Sequence, residues 1–336
     1  MNDNINILAI ESSCDETSAA IVQNGKVLSN QIATQKVHER YGGVVPEMAS
    51  RAHIQNIIPV VDVAISDAGI NKNDIIAVAF TQAPGLIGSL LVGTCFAKSF
   101  AQARNLPLIA VHHMQAHVLA HFIEAQPQFP FLCLTVSGGH TQIVLCRSYL
   151  DMEVLGETMD DAAGEAFDKV AKMLGLPYPG GPLVDKYAAT GDAHRFKFPT
   201  NEMKNYSFSF SGIKTSVLYF LQAERKKDPE FAEKNMGDIC ASVQHTIIKV
   251  LMTKLEKAAD DLGIKHIGIA GGVSANSGLR NALIKTGERK GWHVYIPAFQ
   301  YCTDNAAMIG ITAHYKYLQG AFTDLSATPS ARASWS

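Results

Sequence analysis

The sequence predicts an α/β protein made of two lobes that share one plan. Near the start of the chain, two apolar runs at residues 6–10 and 18–22 flank a short polar turn, which is the pattern of a β-hairpin. A second strand–turn–strand pattern spans residues 131–145, with glycines in its turn. With 336 residues, the chain is long enough for two domains of roughly 150 residues each. An internally duplicated α/β fold therefore accounts for both hairpins.

Two lobes that each open with such a hairpin, with the hairpin tips facing a central cleft, form the plan of the actin-like ATPases (the ASKHA class, with RNase H-like lobes). In that plan the tips hold nucleotide phosphates. The boundary is predicted at the proline-containing connection 126–130. We therefore expect an N-terminal lobe of residues 1–128 plus 303–336 and a C-terminal lobe of residues 129–302.

The rest of the first lobe reads as alternating helices and strands. A helix is predicted from Glu47, with Pro59 expected to break or kink it. A buried strand at 75–80, an apolar helix at 86–103 and a strand ending at Val111 then form a parallel unit. The last helix is predicted to begin at Asp304, and the small polar tail that follows it is expected to be mobile.

The second lobe continues with helices and a third glycine turn. Helices are predicted at 165–175 and, from the apolar stripe, at 239–262. A strand, a glycine pair and a helix follow from residue 266, which is the type of corner that receives an adenine or a ribose. By itself each glycine pair is equally consistent with an ordinary tight turn.

Two histidines one helical turn apart give the sharpest chemical signal. His113 and His117 follow a strand and face the same side of a helix, so they can hold one metal ion. His112 and His121 extend this cluster, and Asp304 offers a distant carboxylate. The alternatives are that the histidines are ordinary surface or capping residues and that Asp304 only caps its own helix. The zinc-protease signature requires a glutamate immediately after the first histidine, and Met114 stands there instead.

Composition restricts the class of protein further. The formal net charge is −2, so the chain lacks the strong basic excess of a stand-alone nucleic-acid binder. The six cysteines form no CxxC motif, and no apolar run is long enough to span a membrane. Acidic residues around the first apolar run argue against a signal peptide. We therefore expect a cytoplasmic protein without a membrane role, in which any polynucleotide partner needs a local patch or helper subunits.

Ordered motifs along nearly the whole chain resemble the TsaD family of tRNA N6-adenosine threonylcarbamoyltransferases. Its eukaryotic and archaeal relatives work in the KEOPS complex, and the family was formerly called O-sialoglycoprotein endopeptidases. The matching motifs are Glu11-Ser-Ser-Cys-Asp-Glu-Thr17, Tyr41-Gly-Gly-Val-Val-Pro-Glu47, His113-Met-Gln-Ala-His117, Val136-Ser-Gly-Gly-His-Thr141, Asp160-Asp-Ala-Ala-Gly-Glu-Ala-Phe-Asp168, Tyr178-Pro-Gly-Gly-Pro182, Phe208-Ser-Phe-Ser-Gly-Ile-Lys214, Gly271-Gly-Val-Ser-Ala-Asn276 and Cys302-Thr-Asp-Asn305. The chain departs from the family at its end, where Ala331-Arg-Ala-Ser-Trp335 replaces a basic Arg-Pro-Arg-Trp.

The resemblance implies transfer of a threonylcarbamoyl group from threonylcarbamoyl-AMP to N6 of adenosine 37, in tRNAs that read codons beginning with A, with release of AMP. It implies His113, His117 and Asp304 as ligands of one iron(II) or zinc ion, and Asp15 and Glu16 as catalytic acids, one of which takes the amine proton. The residues that it assigns to the adenylate, or to ATP, ADP or AMP in its place, are Thr135, Val136, Ser137, Gly138, Gly139, Asp168, Gly181, Asp185 and Asn276.

The resemblance also implies partners. These are the tRNA anticodon stem-loop, a TsaB-like paralogue, a TsaE-like ATPase and a TsaC/Sua-type synthase that supplies the adenylate. Two other functions remain as alternatives at this stage. A kinase or regulatory ATPase of the actin-like fold would explain the hairpins but would leave His113, His117 and Asp304 without a task, and a metalloprotease would lack its glutamate.

Overall fold

The computed structural model describes residues 4–333 and Trp335, and the chain in it divides into two compact units. The first unit comprises Met1–Pro127, Ser148–Met152 and Pro297–Ser336. The second comprises Gln128–Arg147 and Glu153–Ile296. Among the described residues, no helix has the length and apolar character required to cross a bilayer.

Each unit contains a five-stranded sheet. The strands of the first sheet are β1 (Asn6–Glu11), β2 (Glu16–Gln23), β3 (Lys26–Thr34), β4 (Ala77–Ala83) and β5 (Leu108–His112). Those of the second sheet are β6 (Phe131–Val136), β7 (Thr141–Cys146), β8 (Met152–Glu157), β9 (His266–Ala270) and β10 (His293–Tyr295).

Helices connect and cover the strands. In the first unit they are α1 (Pro46–Asp67), α2 (Ile87–Arg104), α3 (His113–Leu119) and, near the end of the chain, α10 (Ala306–Leu318). In the second unit they are α4 (Ala163–Met173), α5 (Gly181–Ala188), α6 (Ser211–Arg225), α7 (Phe231–Lys234), α8 (Met236–Leu262) and α9 (Ser277–Lys290).

The two sheets have the same topology. Their strand orders are β3-β2-β1-β4-β5 and β8-β7-β6-β9-β10. In each, the first strand pairs antiparallel with the second and parallel with the fourth. The predicted duplicated α/β fold of the actin-like type is confirmed. The sequence analysis missed β3, β8 and β10, because β3 and β8 lack a continuous apolar run and β10 is only three residues long.

The central strands are buried on both faces, as expected when helices cover a sheet on both sides. Every residue of β1, β6 and β7 is buried. Most of these side chains are apolar, and their burial supplies the main stabilising free energy of the sheets. Glu11, at the end of β1, is the one charged side chain in these three strands, and a carboxylate with 0% exposure needs strong partners.

Two boundaries differ from the sequence prediction. Helix α1 runs through Pro59 without a break, and the backbone bond lost there would have gone to Gln55, an exposed residue whose carbonyl water can reach. Helix α10 begins at Ala306, and its N-cap is Asn305, whose side chain accepts a hydrogen bond of 3.0 Å from the Met308 amide. Asp304 therefore does not cap this helix.

The C-terminal tail is hydrogen-bonded to strand β4. The Ser330 amide donates to the Gln82 carbonyl at 3.1 Å, and the Gln82 side-chain amide donates to the Thr328 carbonyl at 3.0 Å. The ring of Trp335 lies 5.3 Å from that of His112, centroid to centroid. The sequence-based expectation of a mobile tail does not anticipate these contacts.

Candidate active site

A change from strand to helix positions the two histidines. Strand β5 ends at His112, whose side chain accepts a hydrogen bond from the Gln115 amide and so caps α3. His113 and His117 then occupy consecutive turns of α3 and face the same direction. Both are buried, with 8% and 1% of their surface exposed.

Packing of α10 brings Asp304 to this pair. The Ala306 amide at the start of the helix donates to Ser18 Oγ on β2 at 2.8 Å. As a result, Asp304 Oδ1 lies 3.1 Å from His117 Nε2 and 3.4 Å from His113 Nε2. One ligand atom from each of the three residues lies within 4.8 Å of the other two.

The charges of these groups strongly shift the pKa values of His113 and Asp304. Burial opposes a charge on His113, but the adjacent carboxylates of Asp304 and Glu11 outweigh it and raise the pKa of His113 well above its usual value. Burial would likewise raise the pKa of Asp304, but His113 and His117 hold it well below its usual range. Two imidazole nitrogens and a carboxylate oxygen that converge on one buried point also suit a divalent cation.

The donor set matches known metal chemistry. Two histidines and one carboxylate, with further positions left for substrate or water, are the ligands of non-haem iron(II) centres and of some catalytic zinc sites. The residues present therefore fit the metal that the family resemblance implies. The same three atoms suit either ion, so the donor set does not choose between iron and zinc.

His112 and His121 do not belong to this group. His112 caps α3 and packs against Trp335, and His121 Nδ1 donates to the Val118 carbonyl at 3.0 Å. The extended histidine cluster expected from the sequence is therefore wrong. The difference arises because neither residue belongs to α3: His112 precedes the helix as its N-cap, and His121 lies after its end, in the 3₁₀ segment Ala120–Ile123.

Glu11 is a member of the site whose role the sequence analysis missed. Its Oε2 lies 3.1 Å from His113 Nδ1 and accepts a hydrogen bond of 2.5 Å from the Thr81 hydroxyl, while Oε1 accepts one of 2.5 Å from the Ser13 amide. Burial opposes ionisation, but the charge and hydrogen bond of His113 lower the pKa of Glu11. Its place directly after the apolar run at residues 7–10 was the available signal.

The predicted catalytic acids lie at the tip of the same hairpin. Asp15 belongs to the turn between β1 and β2, and Glu16 is the first residue of β2. Burial, followed by the charges of Asp304 and Asp15, raises the pKa of Glu16 to about 9. Glu16 is thus close enough to the candidate metal ligands to sense their charge.

In the second unit, the predicted nucleotide residues begin at the end of β6. Thr135 and Val136 are buried, and Ser137, Gly138 and Gly139 form the turn to β7. Ser137 Oγ accepts from the Gly139 and His140 amides at 3.3 and 3.0 Å. Among the hydrogen bonds of the described residues, the Gly138 amide has no partner.

The protein itself does not require glycine at positions 138 and 139. Neither has a positive φ, and a Cβ added at either would meet no atom within 4 Å. Gly164 differs, since a Cβ there would lie 2.5 Å from the Ser137 carbonyl oxygen. Space at Gly138 and Gly139 is consistent with a ligand that approaches the backbone.

A chain of contacts links the other predicted residues. Asp168 Oδ1 accepts from the Gly180 and Gly181 amides, both at 2.9 Å, where α5 begins. On α5, Asp185 accepts from the Ser277 amide and hydroxyl at 2.9 and 2.7 Å. The neighbouring Asn276 caps α9, accepting from the Leu279 amide and donating to Gln244. Asp185 and Asn276 therefore also have structural tasks.

Contacts around Gly271 and Gly164 close this arrangement. A Cβ at Gly271 would lie 2.5 Å from the Val136 carbonyl oxygen, so the corner after β9 lies directly against the end of β6. Gly164 brings the start of α4 equally close to Ser137. The nine predicted nucleotide residues thus lie on one connected group of elements within the second unit: the end of β6 and the turn after it, α4, α5 and the residue that caps α9.

Comparison with known proteins identifies the family. The family model described as "TsaD: tRNA N6-adenosine threonylcarbamoyltransferase" matches residues 26–311. A protein of that name from Christiangramia forsetii is 62% identical over 332 residues, covering 98% of each chain. Another from Cytophaga hutchinsonii is 59% identical, covering 98% of this chain and 96% of the relative.

Solved structures at low identity support the fold. The component A of (R)-2-hydroxyglutaryl-CoA dehydratase from Acidaminococcus fermentans is 14% identical, with a TM-score of 0.55, 94% of this chain and 99% of that one covered. A ROK family protein from Streptococcus pneumoniae is 10% identical with a TM-score of 0.55, covering 94% of this chain and all of the other.

Fold and site together define an actin-like α/β protein that carries a buried two-histidine, one-carboxylate group. The family match and the identity to the relatives define it further: the chain belongs to the TsaD family of tRNA N6-adenosine threonylcarbamoyltransferases. It is a transferase, and the kinase and metalloprotease alternatives receive no support from these relatives.

Proposed function

We propose that this chain transfers the threonylcarbamoyl group of threonylcarbamoyl-AMP to N6 of adenosine 37 in tRNAs that read codons beginning with A. AMP is the leaving group. The observation that carries the proposal is the buried group of His113, His117 and Asp304 in a member of this family. The adenine amine is a weak nucleophile because its lone pair is conjugated with the ring, so positioning and charge stabilisation must supply most of the catalysis.

We assign His113, His117 and Asp304 as the ligands of one iron(II) or zinc ion. When bound, such an ion acts as a Lewis acid toward a phosphate or carbonyl oxygen of the donor. The protein supplies two imidazoles from one helix. The hydrogen bond from the Ala306 amide to Ser18 Oγ places the carboxylate of Asp304 beside them. Elemental analysis of purified protein would identify the ion.

We assign the adenylate to the second unit. The open Gly138 amide suits a phosphate oxygen, since backbone N–H groups in a glycine turn bind anions. Asp168 keeps one carboxylate oxygen without a partner among the described residues, and this oxygen could accept from a ribose hydroxyl. Thr135, Gly181, Asp185 and Asn276 complete the lining, with the last two also holding α9 in place.

For the base that accepts the amine proton, we favour Asp15 over Glu16. A carboxyl whose pKa is about 9 is protonated at neutral pH and then donates a hydrogen bond instead of accepting a proton. Asp15 lies beside it in the turn. Loss of transfer in Asp15→Asn, with Glu16→Gln retaining a substantial rate, would support this division, and the reverse result would contradict it.

RNA contact is proposed for the turn that follows β3. The last residue of β3, Thr34, pairs with Glu16, so this turn leaves the sheet beside the acidic tip. Its 3₁₀ segment Lys36–Tyr41 exposes Arg40 and 61% of Tyr41. An exposed aromatic ring next to cations suits stacking with an unpaired base, such as those of an anticodon loop.

A buried histidine braces this turn. His38 is 1% exposed, its Nε2 lies 2.9 Å from Gln35 Oε1, and its Nδ1 accepts from the Val45 amide at 3.3 Å. The Gly43 amide also donates to the His38 carbonyl. A preorganised turn loses less entropy on binding RNA, which supports the assignment.

Partners would supply the remaining basic surface. With a net charge of −2, the isolated chain is expected to bind tRNA weakly at physiological salt. Ile54 and Ile58 on α1 and Ile87 and Leu91 on α2 leave 45–66% of their surface exposed. A Cβ added at Gly88 would lie 3.3 Å from Ser50 Cβ, so α1 and α2 approach each other closely here. We propose that the TsaB-like paralogue covers this face, and that a TsaE-like ATPase and a TsaC/Sua-type synthase act with the complex in the cytoplasm.

Reconstitution tests the proposed function. Purified chain, the three accessory proteins, threonine, bicarbonate, ATP and tRNA would be combined, and the modified nucleoside would be read by mass spectrometry. We expect threonylcarbamoyladenosine at position 37 and AMP release that depends on tRNA. Nucleotide turnover that is indifferent to tRNA, with unmodified tRNA, would favour a kinase or regulatory ATPase instead.

A further inference from the structure

Two buried groups contact the ring nitrogen of His113 that does not face Asp304, and a third holds one of them in place. Nδ1 of His113 lies 3.1 Å from Glu11 Oε2 and 3.2 Å from Ser13 Oγ. Thr81 Oγ donates to the same Glu11 oxygen. Glu11, Ser13 and Thr81 are each no more than 2% exposed, so these contacts are shielded from water.

We propose that Glu11 is the positioning residue of the candidate metal site, fixing both the ring orientation and the proton of His113. This inference rests on the metal site proposed above. A carboxylate accepts only, so it requires the Nδ1–H form of the neutral ring and leaves Nε2, the nitrogen on the Asp304 side, free to bind a cation. Carboxylates placed behind ligand histidines tune metal affinity in this way.

The carboxylate itself is held by two strands. It stands at the end of β1, and Thr81 stands on the parallel neighbour β4, so both anchors belong to the rigid sheet and not to a loop. The Ser13 amide fixes its other oxygen. The orientation of His113 is therefore set by the sheet as well as by its own helix.

His117 provides an internal contrast. Its Nδ1 is buried and has no hydrogen-bond partner among the described residues, while its Nε2 lies 3.1 Å from Asp304. Among the described residues, no carboxylate lies at Nδ1 of His117 in the way that Glu11 lies at Nδ1 of His113. The protein therefore fixes the tautomer and ring orientation of His113 more strongly than those of His117.

Glutamine cannot replace Glu11 without a conflict. If its amide nitrogen took the Oε1 position, it would face the Ser13 N–H, so two donors would meet. If it took the Oε2 position, it would donate to His113 Nδ1, which then has to accept, and the proton would move to Nε2, the nitrogen needed for the metal. In the first orientation the side chain loses its anchor at the Ser13 amide, and in the second the Nδ1–H form of His113 is itself lost.

The test is Zn²⁺ binding to the full chain by competition with a chelating dye. We expect Glu11→Gln to weaken Zn²⁺ binding by about 10–100-fold, the usual effect of removing such a partner. Glu11→Asp keeps the charge but retracts it, and Thr81→Val removes one anchor, so both should lose less. Glu157→Gln is the matched control, since Glu157 ends a strand of the other sheet and accepts from Gln142.

A second readout does not depend on affinity. In Zn²⁺-loaded wild-type protein, ¹H–¹⁵N spectra should show a slowly exchanging Nδ1–H on His113, and this signal should disappear in Glu11→Gln. If Glu11→Gln fails to fold, Thr81→Val and Glu11→Asp carry the same two measurements. Wild-type affinity together with an unchanged Nδ1–H signal would overturn the inference, and so would an equal loss in Glu157→Gln. Absence of Zn²⁺ binding by the wild type would instead overturn the metal site itself.

Discussion

The two hairpins of this protein share a backbone frame and differ in chemistry. In each, six residues of the first strand pair with six of the second, ending at Glu11 opposite Ser18 in one and at Val136 opposite Thr141 in the other. Glu11 and Val136 thus occupy equivalent positions, and both are fully buried. One position carries a charge that contacts His113, and the other carries only hydrocarbon.

The turns of the two hairpins also differ in the chemical groups that they present. After Glu11 the turn presents side chains, including Asp15 and Ser13. After Val136 it presents backbone, with glycines at 138 and 139 that the protein's own packing does not require. One duplicated frame can therefore support a site made of side chains and a site made of backbone amides, because the sheet fixes only where each turn begins.

The largest effect is expected from Asp304→Asn, which removes one of the three proposed metal ligands. The amide oxygen is a poor substitute for a carboxylate ligand, so we expect loss of bound metal and a fall in transfer of more than about 100-fold. Metal content and transfer rate would be measured on one preparation. Asp324→Asn, an exposed carboxylate bonded to Ser326, is the control. Full metal occupancy with normal turnover in Asp304→Asn would refute the ligand assignment.

The next largest effect is expected from Gly138→Val, which changes the turn whose backbone amides are proposed to bind the adenylate. The new side chain would fill the space beside the open amide, so we expect adenylate binding to weaken by at least about 10-fold, while the melting temperature stays close to wild type. Gly164→Val should show the opposite pattern, with marked destabilisation, since its Cβ would collide with the Ser137 carbonyl. Calorimetry and thermal melts separate the two. Unchanged affinity in Gly138→Val would show that the adenylate lies elsewhere.

A smaller effect is expected at the turn beside the acidic tip. Tyr41→Ala should lower kcat/KM for tRNA by about 10-fold, because stacking of a base on an aromatic ring contributes about 1–3 kcal/mol. Tyr41→Phe should retain the rate. Tyr219→Ala, which removes a ring with 64% exposure from α6 in the second unit, serves as the control. Equal losses at Tyr41 and Tyr219, or none at either, would count against the stacking surface.

The smallest effect concerns stability and pH. The folded-state pKa of Glu16, about 9, exceeds the usual 4.5, so the stability linked to its proton is present below pH 4.5 and declines as pH rises toward 9. In chelator-treated protein, Glu16→Gln should therefore melt several degrees higher than wild type at pH 8, and not at pH 4. Equal melting differences at both pH values would mean that Glu16 is not protonated in the fold.

Several elements of the fold were predictable from local sequence patterns. The two hairpins, the strand before His113 and the stripe of α8 follow from short periodicities, which depend only on neighbouring residues. The pairing of His113 with His117 follows from helix geometry alone. The start of α10 was misplaced by two residues, because Asp304 and Asn305 both favour a cap and only the backbone decides which one acts.

The sequence by itself determined the duplicated fold and, through its ordered motifs, the family. It did not determine which side chains meet. Asp304 lies 187 residues from His117, and Glu11 lies 102 residues before His113, yet each pair is 3.1 Å apart. Only tertiary packing makes these contacts, since they depend on how α10 and β4 lie against β1 and β2. His112 and His121, which the sequence placed beside His113 and His117, lie outside this group because one precedes α3 and the other follows it.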